Sequence, residues 1–492
     1  MSDFTDSEFA SLDLGDKRRD KRLRTVVARF LDSPARSIKA ACAGWAESMA
    51  AYRLFNNKAV TLERVLRPHQ SATVERVRAH RSVALIQDTT ELDFTPKKHL
   101  QGSGLFGASD NPRRGWFLHS QFAVSEDRLP LGVYSTNLYA RADLPPGQSR
   151  PDNHCLPIEE KESNRWLLGY RQACELGVAV GEGVEIFSVS DREGDIYEIF
   201  EHRELLLSSA VEGSPAPAHW IVRAAKDRVL VDEDGEIGEN PTRLFDKAAQ
   251  GSLLGIVEFN ITGKTKSRKI SRMKTETTTV RSRRLVRQEI RISKVTPRIP
   301  RRIGGKKLAR VSYWVISAVE LDPPEGEKPI SWVLLTSFEV GDLEAARRIL
   351  RLYLARWDIE VFHRVLKTGC RVEEIQLKTE EALRPCLALY LIVAWRILYL
   401  THLGRECPDL PCSVVFEEAE WKSVVAIAVK RKMKVAMELG GKEPDLSRMI
   451  HLVAVFGGYL GRNKDGPPGP QSMWQGLTRV RDFAIAWEAF GK

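Results

Sequence analysis

The spacing of apolar residues switches along the chain from helical to strand-like and back to helical, and this order limits the folds open to it. Residues 8 to 75 have helical spacing with few breakers. From about residue 80 the pattern is β-rich, in SVALIQDTTELDF (82 to 94), WFLHSQFAVSE (116 to 126) and RLPLGVYSTNLYAR (128 to 141). A short link joins the last two, which predicts an antiparallel meander. ESNRWLLGYRQACELGV (162 to 178) reads as a helix and VEIFSVSD (184 to 191) as a short buried strand, with another helix after Gly194. WIVRAAKDRVLV (220 to 231) leads into a long region rich in Thr, Val, Ile, Arg and Lys, ISWVLLTS (330 to 337) reads as a buried strand, and LEAARRILRLYLARWDIEVFHRVLKTG (343 to 369) as one long helix. Residues 375 to 492 are mostly helical, with a break at GRNKDGPPGP. The order of elements predicts a mixed α/β fold.

A chain of 492 residues predicts two to four domains. With 43% hydrophobic and 28% charged residues it belongs with folded soluble proteins, not disordered or fibrous ones. The net charge of +10 favours a polyanionic partner. Between residues 261 and 310, 18 Lys and Arg stand against two Glu, ending in TPRIPRRIGGKK. That stretch reads either as a solvated loop or as a β insertion whose basic surface follows a phosphate backbone. The seven cysteines include no C-x-x-C pair, so neither a disulfide framework nor a zinc site is expected, which fits a reducing cytosol. The opening MSDFTDSEFASLDLGD is acidic where a signal peptide needs a basic and then apolar run. CLALYLIVAWRILYL (386 to 400) is too short for a membrane span and contains Arg396, so it predicts a buried helix, no membrane partner and a cytoplasmic protein.

Two apolar runs lead into aspartate. IQDTT places Asp88, and FSVSDREGD places Asp191, toward a strand end. A carboxylate there is held by rigid backbone yet open to solvent, which suits a ligand of a hard divalent cation. A turn or helix-cap role is the other reading of each. At about 100° per residue, Tyr353, Arg356, Glu360 and Lys367 fall within roughly 60° of helix surface. Arg356 lies four residues before Glu360, so an exposed helix ion pair is the plainer account of that face. Taken together, two strand-end aspartates and a helix glutamate could hold two Mg²⁺ ions roughly 4 Å apart. Such a pair activates a water or a 3′-hydroxyl and stabilises the leaving oxygen of a phosphodiester, while cations beside it hold the phosphates.

The spaced motif Y-x₂-R-x₃-E-x₆-K is met by Tyr353, Arg356, Glu360 and Lys367. Six further blocks occur in order with it: LGDKRR near the start, DTTELDF around Asp88, RRGWFLHS (113 to 120), EKESNRWL (160 to 167), DREGDIY (191 to 197) and KPISWVLLTS (328 to 337), with FGGYLGR (456 to 462) beyond. The chain thereby resembles the bacterial cut-and-paste DDE transposases that carry a YREK signature, the transposon-five type of the insertion-sequence-four superfamily.

The resemblance implies a helical DNA-end-binding domain over 1–75, an RNase H-like catalytic domain over 76–375 and a helical dimerisation domain over 376–492. The catalytic domain would be a mixed sheet flanked by helices, with a β-strand insertion at about 232–330. Asp88, Asp191 and Glu360 would be the catalytic, metal-binding triad for two Mg²⁺ ions, with Mn²⁺ as a substitute. Tyr353, Arg356 and Lys367 would grip DNA phosphates, and Arg223 would be a further DNA contact. Trp332 would stack a flipped base while the DNA end forms a hairpin, returning much of the few kcal/mol that extrusion costs. A core tryptophan on a buried strand is its other reading, and Trp357 reads as core from its neighbours. Arg18, Arg19 and Arg22 match the block that reads transposon ends, with Tyr52 and Arg53 in a second matched block; a solvated helix face is the alternative. His119 and His363 are given no catalytic role.

The function implied is excision and joining of a mobile element by a homodimer holding double-stranded transposon ends and target DNA. A catalytically silent DNA-binding inhibitor or repressor, and an RNase H-like nuclease without strand transfer, are the alternatives.

Overall fold

The computed structural model describes residues 2–34, 37–97, 100–107, 112–143, 156–211, 213–232, 234–261, 264–269, 275–300, 308–462 and 465–490, excluding the side chains at 2–3, 264–269 and 275–280. Five helices open the chain: α1 (Ser2–Glu8), α2 (Lys17–Asp32), α3 (Ile38–Ala41), α4 (Trp45–Phe55) and α5 (Leu62–Arg78). The starts of α2, α3 and α5 are fixed locally, because the side chains of Asp16, Ser37 and Thr61 each accept a backbone N–H of the first turn. Strands β1 (Ser82–Asp93), β2 (Gly104–Phe106), β3 (Arg113–Ser125) and β4 (Pro130–Tyr139) follow. Strand β3 pairs antiparallel with β1, β2 and β4, which is the expected meander with one short strand added.

The middle of the chain runs α6 (Asn164–Val180), β5 (Glu185–Ser190), α7 (Tyr197–Ser208), β6 (His219–Arg223), α8 (Leu244–Ala249), β7 (Ser252–Ile261), β8 (Lys264–Lys269), β9 (Thr275–Arg281), β10 (Arg284–Val295), β11 (Tyr313–Leu321), β12 (Ser331–Thr336) and α9 (Leu343–Leu354). Helices complete it: α10 (Trp357–Arg364), α11 (Glu380–Glu406), α12 (Glu418–Lys430), α13 (Lys434–Met437), α14 (Leu446–Phe456) and α15 (Pro470–Phe490). The chain divides into two compact units, Met1–Arg150 together with Trp357–Lys492, and Pro151–Arg356. In the second unit the strand order is β5-β6-β12-β11-β10-β7, with β5 and β6 parallel and the other neighbours antiparallel. The fold is α/β with mixed pairing and flanking helices, compatible with an RNase H-like core.

One sequence expectation needs correction, and one strand is shorter than the apolar segment that holds it. Within WIVRAAKDRVLV, β6 stops at Arg223, because Asp195 Oδ2 takes the N–H groups of Ala225 and Lys226 at 2.8 and 2.9 Å, turning the backbone away from ladder pairing. The helix expected over 343–369 is three pieces. Helix α9 ends as the Arg356 N–H turns back to the Tyr353 carbonyl (3.0 Å), α10 is a separate two-turn helix, and Val365–Gly369 forms a π turn closed by Cys370 N–H to the Val365 carbonyl (2.8 Å). The four signature residues are therefore distributed over α9 (Tyr353), the turn after it (Arg356), α10 (Glu360) and the π turn (Lys367). Within the basic stretch at 261 to 310, residues 262–263, 270–274 and 301–307 lie outside the described residues; the rest carries the hairpin β8-β9 and strand β10.

The first unit is tied together by a buried polar network. Glu8, at the end of α1, and His69, in α5, are both fully or nearly fully buried. His69 Nδ1 meets Glu8 Oε1 at 2.5 Å, and its Nε2 accepts the Val133 N–H at 2.9 Å. The ring is thus the neutral tautomer with its proton on Nδ1, in keeping with burial, which pushes its pKa down. Arg76 donates to both Glu8 oxygens (2.8 and 3.1 Å) and to the Leu131 carbonyl (2.5 Å), joining α1, α5 and β4. Burial alone would raise the Glu8 carboxyl; His69 and Arg76 outweigh it and hold it at about 2. Asp32 of α2 likewise meets Arg481 of α15 at 2.9 Å.

Because its folded-state value lies below the ordinary glutamate value of 4.5, Glu8 stabilises the protein fully above that pH, and the contribution is lost as pH falls toward 2. Glu8→Gln is expected to lower unfolding free energy at pH 7 by about 3 kcal/mol. It should also flatten the acid limb of the curve of melting temperature against pH between 4.5 and 2. Thermal and urea melts of wild type and variant across that range measure both.

Candidate active site

In the first unit, Asp88 is the seventh residue of β1. The strand runs on to Asp93, so Asp88 stands not at a strand end, as expected, but where β1 passes from fully buried to half-buried residues. Its Oδ1 accepts the Thr89 N–H at 2.7 Å. The neighbouring face is occupied by the buried His119, which bridges Thr89 Oγ1 (2.9 Å) and Gln87 Oε1 (3.3 Å). Glu360 is half-buried on α10, and α10 packs against β1. Phe362 of α10 stacks on Phe122 of β3, ring centroids 4.7 Å apart. Asp88 and Glu360 therefore lie on elements in contact.

One group on α10, Asp358, went unnoticed in the sequence, and a second, His363, was given no role there. Asp358, in its first turn, is buried and receives Arg128 Nε at 3.1 Å and Arg128 Nη2. Burial raises the Asp358 carboxyl and the hydrogen bonds of Arg128 oppose the shift. His363 is buried with Nε2 unpartnered, and burial next to the Lys367 charge pushes it down to about 3, so it stays neutral at physiological pH. Trp357 corrects an expectation: it is 57% exposed, because the break before α10 turns it out of the core. Lys367 sits in the π turn. Its Nζ donates to the Glu91 carbonyl (2.8 Å) and lies 3.4 Å from Glu373 Oε1, which also accepts the Asp93 N–H at 2.8 Å. The lysine is thereby moored to the far end of the strand that carries Asp88.

At the N-terminus, Arg18, Arg19 and Arg22 lie in the first turns of α2. The Arg18 side chain is 96% exposed. Tyr52 is half-buried and Arg53 exposed on α4.

In the second unit, Asp191 follows β5 directly and caps the 3₁₀ turn Arg192–Gly194, its Oδ1 accepting the Glu193 N–H at 2.8 Å. The loop after it is anchored by Asp195, a residue the sequence reading passed over although DREGD shows it. Asp195 is 1% exposed, takes two backbone N–H groups with Oδ2, and holds Arg228 at 2.6 Å with Oδ1. Gly194 is required by space: a Cβ there would come within 2.2 Å of Ser190 Oγ.

Trp332, Tyr353 and Arg223 are also gathered in this unit. Trp332 is half-buried on β12, stacked on Phe259 at 6.2 Å and tilted against Tyr353 at 6.5 Å. It is therefore not the fully buried core residue of the alternative reading. Tyr353 itself is only 6% exposed. Arg223 Nη2 reaches the Ser331 carbonyl, next to Trp332, at 3.4 Å. Arg356 is half-buried in the turn after α9.

Asp88, Asp191 and Glu360 offer hard carboxylate oxygens, the donor chemistry that Mg²⁺ takes. Among the described residues, no three His, Cys, Asp or Glu side chains form a group that could hold a metal ion in the present arrangement.

Comparison with known families finds two matches. Residues 1–60 match the transposase DNA-binding family, and residues 392–488 match the transposase Tn5 dimerisation domain. The first covers α1 to α4; the second covers most of α11 and nearly all that follows. Both support a transposase that binds DNA and pairs with a second copy.

Removing the Asp195 carboxylate would leave Arg228 buried without its counter-charge and free two backbone N–H groups. Asp195→Ala is expected to destabilise the second unit by about 3–5 kcal/mol. Chemical denaturation, with proteolysis mapping which segment opens first, measures it.

Proposed function

We propose that the protein is a cut-and-paste DNA transposase that binds the inverted-repeat ends of a mobile element, cleaves them and joins the freed 3′ ends to target DNA. The observation that carries this reading is the pair of family matches at the two ends of one chain, DNA-binding first and dimerisation last, around an α/β middle compatible with an RNase H-like core. In this reading β7 to β11 form the β insertion, and functional domains divide near residues 75 and 375.

Asp88, Asp191 and Glu360 would hold two Mg²⁺ ions, or Mn²⁺ in their place. The bound metal would supply a water or 3′-hydroxyl activated at neutral pH and charge stabilisation for the leaving oxygen. The remaining work falls to the chain's own side chains. Arg18, Arg19 and Arg22, on a helix start with an exposed guanidinium, track phosphates of the transposon end, each contact releasing counterions. Arg356 and Lys367 hold the backbone near the cut, with Tyr353 positioned by its ring contact to Trp332. Trp332 offers a flat indole, already stacked on one side by Phe259, on which an extruded base can rest during hairpin formation. Arg223 carries charge beside it.

The test is cleavage of DNA bearing the cognate ends in Mg²⁺. Asp88→Ala, Asp191→Ala and Glu360→Ala should each abolish cleavage and strand transfer while retaining end binding; activity undiminished in any of them removes the proposed triad. Arg18→Ala and Arg22→Ala should weaken end binding and each reduce the slope of log affinity against log salt by about one. Tight, salt-sensitive end binding with no cleavage in Mg²⁺ or Mn²⁺ would favour a silent DNA-binding inhibitor or repressor, and cleavage without joining a simple nuclease.

A further inference from the structure

We propose that Arg128 and Asp358 form a positioning lock that sets the direction in which Glu360 is presented, an inference that rests on the transposase reading of Glu360. Asp358 lies in the first turn of α10, two residues before Glu360, and its carboxylate is taken by two nitrogens of one guanidinium. A two-pronged bond between planar groups fixes orientation as well as distance.

The backbone at Arg128 argues that the residue is there for its side chain. It has φ of +67°, in the left-handed region where glycine is the low-cost choice. The surrounding turn demands that conformation. Arg128 N–H donates to the Ser125 carbonyl (2.9 Å), Ser125 N–H to the Leu129 carbonyl (3.0 Å), and Leu129 N–H to Ser125 Oγ (3.0 Å). An arginine accepts this strained place at the β3–β4 corner, and its fork reaches a carboxylate 230 positions further along the chain.

Helix α10 also packs on β1 and α11, and its Phe362 stacks on Phe122 of β3, the strand that leads into the corner. Apolar contact of this kind is non-directional and permits the helix to roll or slide. The ion pair removes that freedom. Strand β3 also pairs with β1 through Asp88 itself, opposite Ser120, so the lock refers Glu360 to the same frame that carries the first aspartate. The partners are unequal in burial: the Arg128 side chain is about half exposed and the Asp358 side chain almost wholly covered. Losing the aspartate releases arginine to water, whereas losing the arginine strands a buried carboxylate. Asp358→Asn is therefore the cleaner variant, and Arg128→Lys, which keeps the charge but not the fork, is the second.

The full-length protein and both variants are compared in three assays. These are end-DNA binding without divalent metal, single-turnover end cleavage across a Mg²⁺ titration, and amide hydrogen exchange over residues 357–364. Asp358→Asn is expected to bind ends like wild type and to exchange faster over 357–364. It should also need about tenfold more Mg²⁺ for half-maximal cleavage, the scale of losses when a group orienting a metal ligand is removed. Arg128→Lys should fall between it and wild type in all but binding. Wild-type Mg²⁺ demand and unchanged exchange in Asp358→Asn overturn the lock. Full cleavage by Glu360→Ala overturns the underlying reading of the site instead, and the exchange data then still decide whether the pair holds α10.

Discussion

A helix apolar on every side is stable only when every side is covered, and α11 imposes that requirement on the first unit. The apolar run expected to be too short for a membrane span lies in a longer helix, the one among the described residues long and apolar enough to cross a membrane, yet its apolar stretch is buried within the protein. Helices α2, α4 and α5, strand β4, and helices α14 and α15 all pack on it. The contacts are specific as well as apolar. Tyr390 stacks on Phe30 of α2 at 4.6 Å, Trp395 donates Nε1–H to the Pro130 carbonyl at 2.9 Å, and its ring lies 4.7 Å from His69. Gly404 has no room for a Cβ, which would meet Ile450 of α14 at 2.7 Å. The need to cover one sequence segment thus draws the DNA-binding match, the meander and the dimerisation match into a single unit.

In each unit a recurring device fixes loops and helix ends: a buried carboxylate held by an arginine. Glu8 with Arg76 ties α1 to α5 and β4, Asp195 with Arg228 ties the loop after Asp191 to the segment beyond β6, and Asp358 with Arg128 ties α10 to the β3–β4 corner. In each case the carboxylate is the more buried partner. Such pairs add little net stability over apolar packing, but breaking one is costly, so they specify geometry where apolar contact would leave it loose.

Most secondary structure could be read from the sequence because it follows from local periodicity, as with the meander of β1, β3 and β4 or the buried run of α11. What could not be read depends on partners far away in the chain. The break between α9 and α10 and the π turn at Val365–Gly369 interrupt a segment whose local spacing is helical throughout, with Lys367 bound to Glu91 and Glu373 and Asp358 to Arg128. The shortening of β6 has the same origin in Asp195. The candidate residues were legible as a spaced motif, and the packing of α10 on β1 and the gathering of Arg223, Trp332 and Tyr353 give two parts of that motif a spatial setting. Their burial was not legible: Trp357 is exposed where its neighbours suggested core, and Tyr353 is covered where a phosphate contact suggested exposure.

The composition of the first unit from the two ends of the chain has a consequence for synthesis. When the ribosome has finished residue 150, α2, α4 and α5 have been made but the helix that covers their apolar faces has not. At about 5–20 residues per second, the intervening 200 or so residues take on the order of 10–40 s to emerge. For that interval the DNA-binding segment exists on the nascent chain with its α11-facing side chains open to water, chaperones or nearby nucleic acid. The C-terminal helices then arrive as the second half of a core already waiting for them.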